Sequence, residues 1–173
     1  SKHILFLKNI MLKKRENYIS WDEYFMWIAM LSAHRSKDPN TQVWACIVNN
    51  QNRIVGIGYN WFPRWCDDDT FPWDREWKLP DTKYAYVVHA EANAILNSWW
   101  RNLEWTKIYV ALFPCNECAK LIIQSGIKEI VYLSDKYDWT DANIASKKML
   151  NSAWIKLTKL DVKNKEILIK LEA

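Results

Sequence analysis

Apolar and polar residues alternate along the first third of the chain with two different periods. After Ser20, apolar residues recur every three or four positions, and Glu23 stands three residues later, as in a capping box, so this segment predicts an amphipathic helix. Runs rich in β-branched and other apolar residues follow at 43–48 and 53–59. The polar segment 49–52 separates these runs, and the pattern therefore predicts a β-hairpin.

Helical and strand patterns alternate in the second half of the chain. Gly126 ends one helical pattern, as glycine commonly does at a helix C-terminus. Strands that alternate with helices build βαβ units, so the pattern predicts an α/β sheet covered by helices on both faces. The predicted helices cover 89–97, 115–125 and 141–153, and the predicted strands cover 107–112, 129–133, 155–160 and 166–171.

The remaining segments lack a regular period. Residues 60–83 are rich in Pro, Asp and aromatic side chains, and they predict a long irregular insertion of the kind that is usually functional. Residues 1–19 are interpreted as an N-terminal extension, with the first ten residues non-native, because the chain begins with Ser and Met11 suits a start. Residues 20–173 then form one domain, as a chain of 173 residues predicts.

Composition narrows the class of protein. No apolar run approaches the roughly 20 residues that span a bilayer, so we expect a cytoplasmic protein without a membrane partner. The formal net charge of +4 is mild and spread along the chain, which suits an anionic small molecule and does not require a nucleic acid partner. Cys115 and Cys118 form a Cys-x-x-Cys pair, whereas Cys46 and Cys66 are single. Because this is a poor disulfide framework, thiols as metal ligands fit better.

Two short motifs carry the candidate chemistry. His89 and Glu91 lie at the start of one predicted helix, and Pro114 with Cys115 and Cys118 opens the next. Zinc takes thiolate and imidazole ligands in a tetrahedron, and three protein ligands leave the fourth position for a water of lowered pKa. Glu91 is placed to move protons between that water and a substrate without binding the metal. This His-x-Glu with a later Pro-Cys-x-x-Cys is the signature of zinc deaminases.

The cysteine pair taken alone has other interpretations. A Cys-x-x-Cys pair also occurs in redox sites and as half of a structural zinc site. A structural site needs a fourth protein ligand, and no available residue has the paired spacing of such sites. The residues available are His3, His34, Cys46 and Cys66. Together with His89 and Glu91, the pair therefore predicts one catalytic Zn²⁺ per chain.

Six stretches of the chain extend these motifs into a wider pattern. They are 21–26 (WDEYFM), 35–39 (RSKDP), 45–48 (ACIV), 56–60 (GIGYN), 89–95 (HAEANAI) and 112–120 (LFPCNECAK). With these stretches the chain resembles the deoxycytidylate (dCMP) deaminases of the cytidine deaminase superfamily over about residues 20–160. The resemblance implies a three-layer α/β/α sandwich with a central five-stranded mixed sheet, and hydrolysis of dCMP to dUMP. It also implies a hexamer that dCTP activates and dTTP inhibits.

Substrate contacts are predicted at several further residues. Asn60 resembles the family asparagine that holds the sugar and base, with a turn residue as the alternative, and Ala90 is assigned to the same nucleotide. Tyr137 is predicted to wall the pocket, with an ordinary surface tyrosine as the alternative. A phosphate favours a cation and a hydroxyl on a loop. The residues predicted to grip the 5′-phosphate, or else to form a solvated charge run, are Lys37, Ser36 and Arg35.

Two other functions share part of the pattern. Polynucleotide deaminases of the tRNA adenosine type have the same zinc site. The 60–83 insertion, the lack of a basic face and Phe113, where those enzymes usually have Glu, argue against them. The other alternative is a non-catalytic, tryptophan-rich module that binds nucleic acid and has structural zinc.

Tryptophan is unusually frequent: the chain has 12 tryptophans and 3 glycines, whereas average usage gives about 12 glycines. Trp44, Trp61 and Trp65 stand where the resembling family has glycine. Trp105 and Trp154 fall at turn or helix-end positions that often require a positive φ. We hypothesise that most of the tryptophans are glycines misread from UGA codons; as written, overpacking predicts poor folding and a damaged nucleotide loop. The two that we interpret as native are Trp21 and Trp73.

Overall fold

The structure, a computed structural model, describes residues 13–163 and 165–169. Within these residues, four helices and five strands follow one another in the predicted order, and their bounds agree with the predictions to within one residue. The helices are α1 (Trp21–Ala33), α2 (Ala90–Asn97), α3 (Asn116–Gln124) and α4 (Asp141–Ser152). The strands are β1 (Trp44–Val48), β2 (Ile54–Tyr59), β3 (Lys107–Leu112), β4 (Glu129–Ser134) and β5 (Lys156–Lys159).

The predicted irregular insertion at 60–83 is confirmed. Its regular structure is limited to a single bridge between Trp61 and Val88 and to the 3₁₀ turn Leu79–Asp81, which is followed by a second 3₁₀ turn at Lys83–Ala85. Across the described part of the chain, each helix is too short or too polar to span a bilayer.

The predicted strand at 166–171 is wrong over its described part. Residues 166–169 pair with none of the five strands, and Leu168 and Ile169 are 84% and 70% exposed. Three apolar residues stand in a row here, so the sequence lacks the alternation that would bury one face of a strand. Residues 170 and 171 lie outside the described residues, as do 1–12 of the predicted N-terminal extension, while 13–19 form neither helix nor strand.

The sheet is mixed, with the strand order β2-β1-β3-β4-β5. β1 is antiparallel to both of its neighbours, whereas β3, β4 and β5 run parallel. The carboxyl ends of the parallel strands and of β2 therefore meet the start of β1 at one edge of the sheet. Parallel sheets bind ligands at such an edge, because the loops that leave it converge there.

Helices cover both faces of the sheet, which confirms the three-layer α/β/α sandwich. Alternate residues of each strand enter two separate cores. Ile47 and Ile108 pack against α2, α3 and α4 on one face. Cys46 and Tyr109 pack against α1 on the other, where the rings of Phe25 and Tyr109 are tilted by 43° with their centroids 5.4 Å apart.

A glycine in β2 determines how closely α2 approaches the sheet. A Cβ at Gly58 would collide with the Ala90 carbonyl oxygen and with the Ala94 nitrogen, so only glycine permits this distance. The Asn93 side chain also donates a hydrogen bond to the Tyr59 carbonyl at 2.8 Å. These contacts fix the first turn of α2, where two of the predicted site residues lie.

Candidate metal centre and substrate pocket

The first turns of α2 and α3 meet at the edge of the sheet. His89 is the N-cap residue of α2, Cys115 is the N-cap residue of α3, and Cys118 lies buried one turn into α3. The Nδ1 atom of His89 is 3.5 Å from the Cys115 sulfur and 3.3 Å from the Cys118 sulfur. The structure thus brings together the three residues that the sequence predicts as metal ligands.

The three side chains fit a zinc ion. Zn–N and Zn–S bonds of about 2.0 and 2.3 Å place tetrahedral ligand atoms roughly 3.5 to 3.8 Å apart, close to the separations seen here. The three ligand atoms lie within 4.8 Å of one another, and no fourth His, Cys or carboxylate of the described residues joins them. Three ligands with an open fourth position are typical of a catalytic zinc site, whereas structural sites have four.

The pKa values of the two cluster thiols shift in opposite directions. Hydrogen bonds from Cys118 and then His89 lower the pKa of Cys115 to about 4. The hydrogen bond between the thiols, followed by burial, raises the pKa of Cys118. Cys115 is therefore a thiolate at neutral pH, and thiolate is the form that binds metal.

Glu91 lies beside the metal ligands without being one of the cluster. It is in the first turn of α2 and is only 9% exposed. Burial raises the pKa of its carboxyl group, and the nearby His89 opposes this shift. A carboxyl group in this place is suited to hold and release a proton next to the metal.

A cavity of about 360 Å³ leads from the metal ligands to the surface. Its inner wall includes His89, Glu91 and Cys115, and exposed side chains line its outer part. The exposed residues are Arg75, Tyr84 and Tyr137. This volume lies in the range of small-molecule sites.

Asn60 lines this cavity, but its side-chain amide is fully occupied by protein groups. Its Oδ1 atom accepts hydrogen bonds from Ser36 Oγ at 2.9 Å and from the Val43 nitrogen at 3.0 Å. Its Nδ2 atom donates to Asp38 Oδ2 and to the Thr41 carbonyl, both at 3.0 Å. An amide side chain makes about four hydrogen bonds, so Asn60 here organises the cavity wall.

Asp38 and Lys83 form a buried ion pair behind Asn60 that sequence reasoning missed. The Lys83 ammonium donates to both carboxylate oxygens of Asp38, at 2.8 and 2.6 Å. The Lys83 side chain is 7% exposed and the Asp38 side chain is 1% exposed, and both residues line the cavity. Asp38 lies in a stretch that carries the family resemblance, and this could have identified it as a site residue. Lys83 lies at the end of an aperiodic insertion, where no pattern in the sequence points to it.

The three residues predicted to grip a phosphate lie outside the cavity lining. Lys37 instead pairs with Asp68 at 2.7 Å and sits 5.2 Å above the ring of Trp61. Ser36 is bonded to Asn60, and Arg35 is exposed after the end of α1. Ala90 is completely buried against β2 and does not line the cavity either.

Tyr137 does line the cavity, at its outer part, and it remains 41% exposed. The Lys136 ammonium lies 5.0 Å from the centre of its ring. The outer part therefore has positive charge close to aromatic surface. Arg75 adds to this charge, and the sequence analysis did not single it out.

The fold and the candidate metal centre together are typical of zinc-dependent enzymes that activate water. Residues 19–134 match the family described as the cytidine and deoxycytidylate deaminase zinc-binding region. The human protein named deoxycytidylate deaminase is 53% identical over 169 residues, which cover 96% of this chain and 94% of the human one. A probable deoxycytidylate deaminase of Drosophila melanogaster is 57% identical over 148 residues, 82% of this chain and 73% of that protein. This chain belongs to the cytidine and deoxycytidylate deaminase zinc-binding family.

Solved structures agree on the fold. The dCMP deaminase of the cyanophage S-TIM5, crystallised in complex with dCMP and dUMP, aligns with a TM-score of 0.64. The alignment covers 83% of this chain and 100% of the phage protein, at 20% sequence identity. The five-stranded sheet and its flanking helices are therefore shared with this enzyme.

Proposed function

We propose that this chain hydrolyses dCMP to dUMP and ammonia in a zinc-dependent reaction. One observation carries the proposal: the cluster of three candidate metal ligands lies beside the buried carboxyl group of Glu91, on a cavity that opens to the surface. Membership of the deaminase family and 53% identity to the human deoxycytidylate deaminase indicate the same substrate.

The residues around the cluster divide the work of the reaction. His89, Cys115 and Cys118 would hold a zinc ion, which would supply the Lewis acidity that makes water nucleophilic at neutral pH. Glu91 takes a proton from the attacking water and delivers it to N3 of the cytosine ring. The water oxygen bonds to C4, and Glu91 then moves the second proton from this new hydroxyl group to the exocyclic nitrogen. The C4–N bond breaks, so one water is consumed and one ammonia is released. Burial of Glu91 excludes bulk water from these transfers.

The cavity also suggests which way a nucleotide lies. The base must reach Glu91 at the inner end, so the 5′-phosphate lies towards the exposed outer part. There, the Arg75 Nε donates to the Tyr84 hydroxyl at 2.9 Å, which leaves its terminal nitrogens available. No described carboxylate forms an ion pair with Arg75, whereas Lys37 and Lys83 are both paired. Arg75 is thus the better-placed phosphate contact, with Lys37, Ser36 and Arg35 as the other candidates.

Glu91→Gln tests the reaction. The amide keeps the size of the side chain but cannot accept a proton, so we expect turnover of dCMP to fall by about 10² to 10⁴-fold with zinc content unchanged. Ammonia release from dCMP, CMP, dCTP, deoxycytidine and a tRNA anticodon stem defines the substrate, with zinc measured in parallel by metal analysis. Undiminished turnover in the variant, or faster release from the tRNA stem than from dCMP, would refute the proposal.

Arg75→Ala tests the orientation of the nucleotide. A charge-assisted hydrogen bond is worth about 1.5 to 3 kcal/mol, so kcat/KM for dCMP should fall by about 10 to 100-fold. The rate with deoxycytidine, which has no phosphate, should not change. Lys37→Ala is the matched control, because it removes a cation outside the cavity. If Lys37→Ala lowers the preference for dCMP and Arg75→Ala does not, the phosphate lies at the Lys37 loop instead.

Assembly and regulation follow from the resemblance alone. We propose a homohexamer that dCTP activates and dTTP inhibits. Sedimentation velocity with and without each nucleotide, combined with dCMP saturation curves, tests both parts. A monomer with a hyperbolic curve that neither nucleotide alters would rule them out.

A further inference from the structure

Tryptophan is concentrated at backbone positions that disfavour it. Seven non-glycine residues in the described part of the chain have a positive φ, and six of them are tryptophans. Tryptophan is 12 of 173 residues, so fewer than one of the seven is expected by chance. The seventh is Asn52, a residue type that tolerates this conformation. The six tryptophans are Trp65, Trp77, Trp99, Trp100, Trp105 and Trp154.

Trp65 and Trp105 occupy the same position in two tight turns. Each is the third of four residues, with φ of 72° and 65°, respectively. In each turn the nitrogen of the fourth residue donates to the carbonyl of the first, Cys66 to Pro63 at 3.1 Å and Thr106 to Leu103 at 3.2 Å. A hydrogen-bonded turn with a positive φ at its third residue has the form of a type II turn, which requires glycine or asparagine there.

Trp154 stands at the end of α4 where Gly126 stands at the end of α3. Both are the second residue after the helix, with φ of 60° for Trp154 and 85° for Gly126. After α4, Trp154 donates to Asn151 at 3.1 Å and Ile155 donates to Leu150 at 3.0 Å, which is a Schellman motif. This motif normally has glycine at its left-handed residue. The same fold therefore has the expected residue at one helix end and tryptophan at the other.

Packing does not account for these tryptophans. Trp65, Trp100 and Trp154 are 101%, 89% and 89% exposed, so their indoles bury almost nothing that could offset backbone strain. Trp73 is the opposite case. It has no positive φ, its ring lies 4.5 Å from that of Phe62, and its Nε1 donates to the Asp68 carbonyl at 3.0 Å.

We propose that the natural protein carries glycine at all six positive-φ positions. Tryptophan stands there because a UGA codon, which some lineages translate as glycine, has been read with a code in which it specifies tryptophan. Glycine has no Cβ and adopts a positive φ without strain, so glycine relieves the backbone at all six positions. The inference rests on backbone geometry and is independent of the proposed function.

A different observation extends the proposal to Trp44. Its indole nitrogen is buried and has no hydrogen-bond partner among the described residues. An unpaired buried donor is rare and unfavourable. The ring also lines the substrate cavity. Glycine at this position removes the unpaired donor. It also makes the volume of the natural cavity larger than about 360 Å³.

The codons test the proposal directly. We expect UGA at the six positions and at Trp44, and UGG at Trp73. Peptide mass spectrometry of the protein isolated from its native cells should find glycine at the UGA positions. UGG codons at Trp65, Trp105 and Trp154, or tryptophan in the native peptides, would overturn the proposal.

Stability provides a second, independent test. In the chain as written, Trp105→Gly and Trp154→Gly should each raise Tm by about 2 to 8 °C, because each relieves a left-handed tryptophan. Trp73→Gly is the matched control and should lower Tm, because it removes packed aromatic surface. If the written chain does not fold, the chain with all six glycines should fold and bind zinc. The proposal fails if the glycine substitutions lower Tm as Trp73→Gly does, or if the six-glycine chain is no more stable.

Discussion

Helices α1 and α4 begin differently from α2 and α3. Ser20 and Thr140 cap α1 and α4 with their side-chain oxygens, which accept hydrogen bonds from the backbone three residues on. His89 and Cys115 occupy the same place in α2 and α3, but neither side chain caps its helix. A capping residue stabilises a helix by about 1 kcal/mol. The N-cap residues of α2 and α3 belong instead to the candidate metal cluster, so these two helices lack this stabilisation.

The largest expected effect is the loss of zinc and activity in Cys115→Ser. This substitution replaces a candidate metal ligand at the N-cap of α3 with a residue that caps helices. Serine is a weak zinc ligand but a strong N-cap residue, so zinc and dCMP turnover should be lost. The unfolding free energy of the metal-free protein should rise by about 0.5 to 2 kcal/mol. Metal analysis, an ammonia assay and urea unfolding measure the three quantities.

Cys66→Ser is the matched control for that substitution, because Cys66 is a free cysteine outside the cluster. It should change neither zinc content nor turnover. A Cys115→Ser protein that still binds one zinc per chain would show that Cys115 is not a zinc ligand.

The second largest expected effect is a loss of stability when the buried ion pair in the cavity wall is broken. The same change should weaken substrate binding. Lys83→Met leaves the Asp38 carboxylate buried without its partner, and breaking a buried pair costs about 3 to 5 kcal/mol. Urea unfolding should show this loss, and KM for dCMP should rise because Asp38 also holds Asn60.

Two further variants separate the causes. The double variant Asp38→Asn with Lys83→Met removes both charges and should recover most of the stability. Lys37→Met removes an exposed ion pair and should have little effect. If Lys83→Met leaves stability and KM unchanged, the ion pair does not support the cavity wall.

The elements that were predicted correctly have local signals. Ser20 and Glu23 lie within one turn, and the two metal motifs each span at most five residues, so their geometry follows from helix starts alone. The strand order was not predicted, because strand pairing depends on partners distant in sequence. The family resemblance implied only a five-stranded mixed sheet.

The residues that were missed depend on distant partners. Asp38 and Lys83 are 45 residues apart in sequence and meet only in the folded protein. Arg75 lies in an insertion without a period, and its position at the cavity depends on the path of that loop. Residues 166–169 were predicted as a strand from composition alone, without the alternation that signals a buried face.

The next effect extends the comparison to the helix C-termini. Gly126→Trp adds an indole to a residue with φ of 85°, where even a Cβ would lie only 2.8 Å from the Glu104 Cγ. We expect a loss of about 2 to 3 kcal/mol from strain and overpacking. Trp154→Gly, the reciprocal change at the end of α4, should gain about 1 to 2 kcal/mol. Both are measured by urea unfolding, and equal signs for the two changes would contradict the equivalence of these helix ends.

The smallest effect tests the capped starts themselves. Ser20→Ala and Thr140→Ala each remove one side-chain acceptor from a helix N-terminus, so each should lower the unfolding free energy by about 1 kcal/mol. Tm should fall by about 2 to 4 °C, while zinc content and kcat stay unchanged. Ser152→Ala, at the other end of α4, is the control and should have almost no effect. Loss of zinc in either capping variant would contradict the comparison. It would show that the capped helix starts also support the metal site.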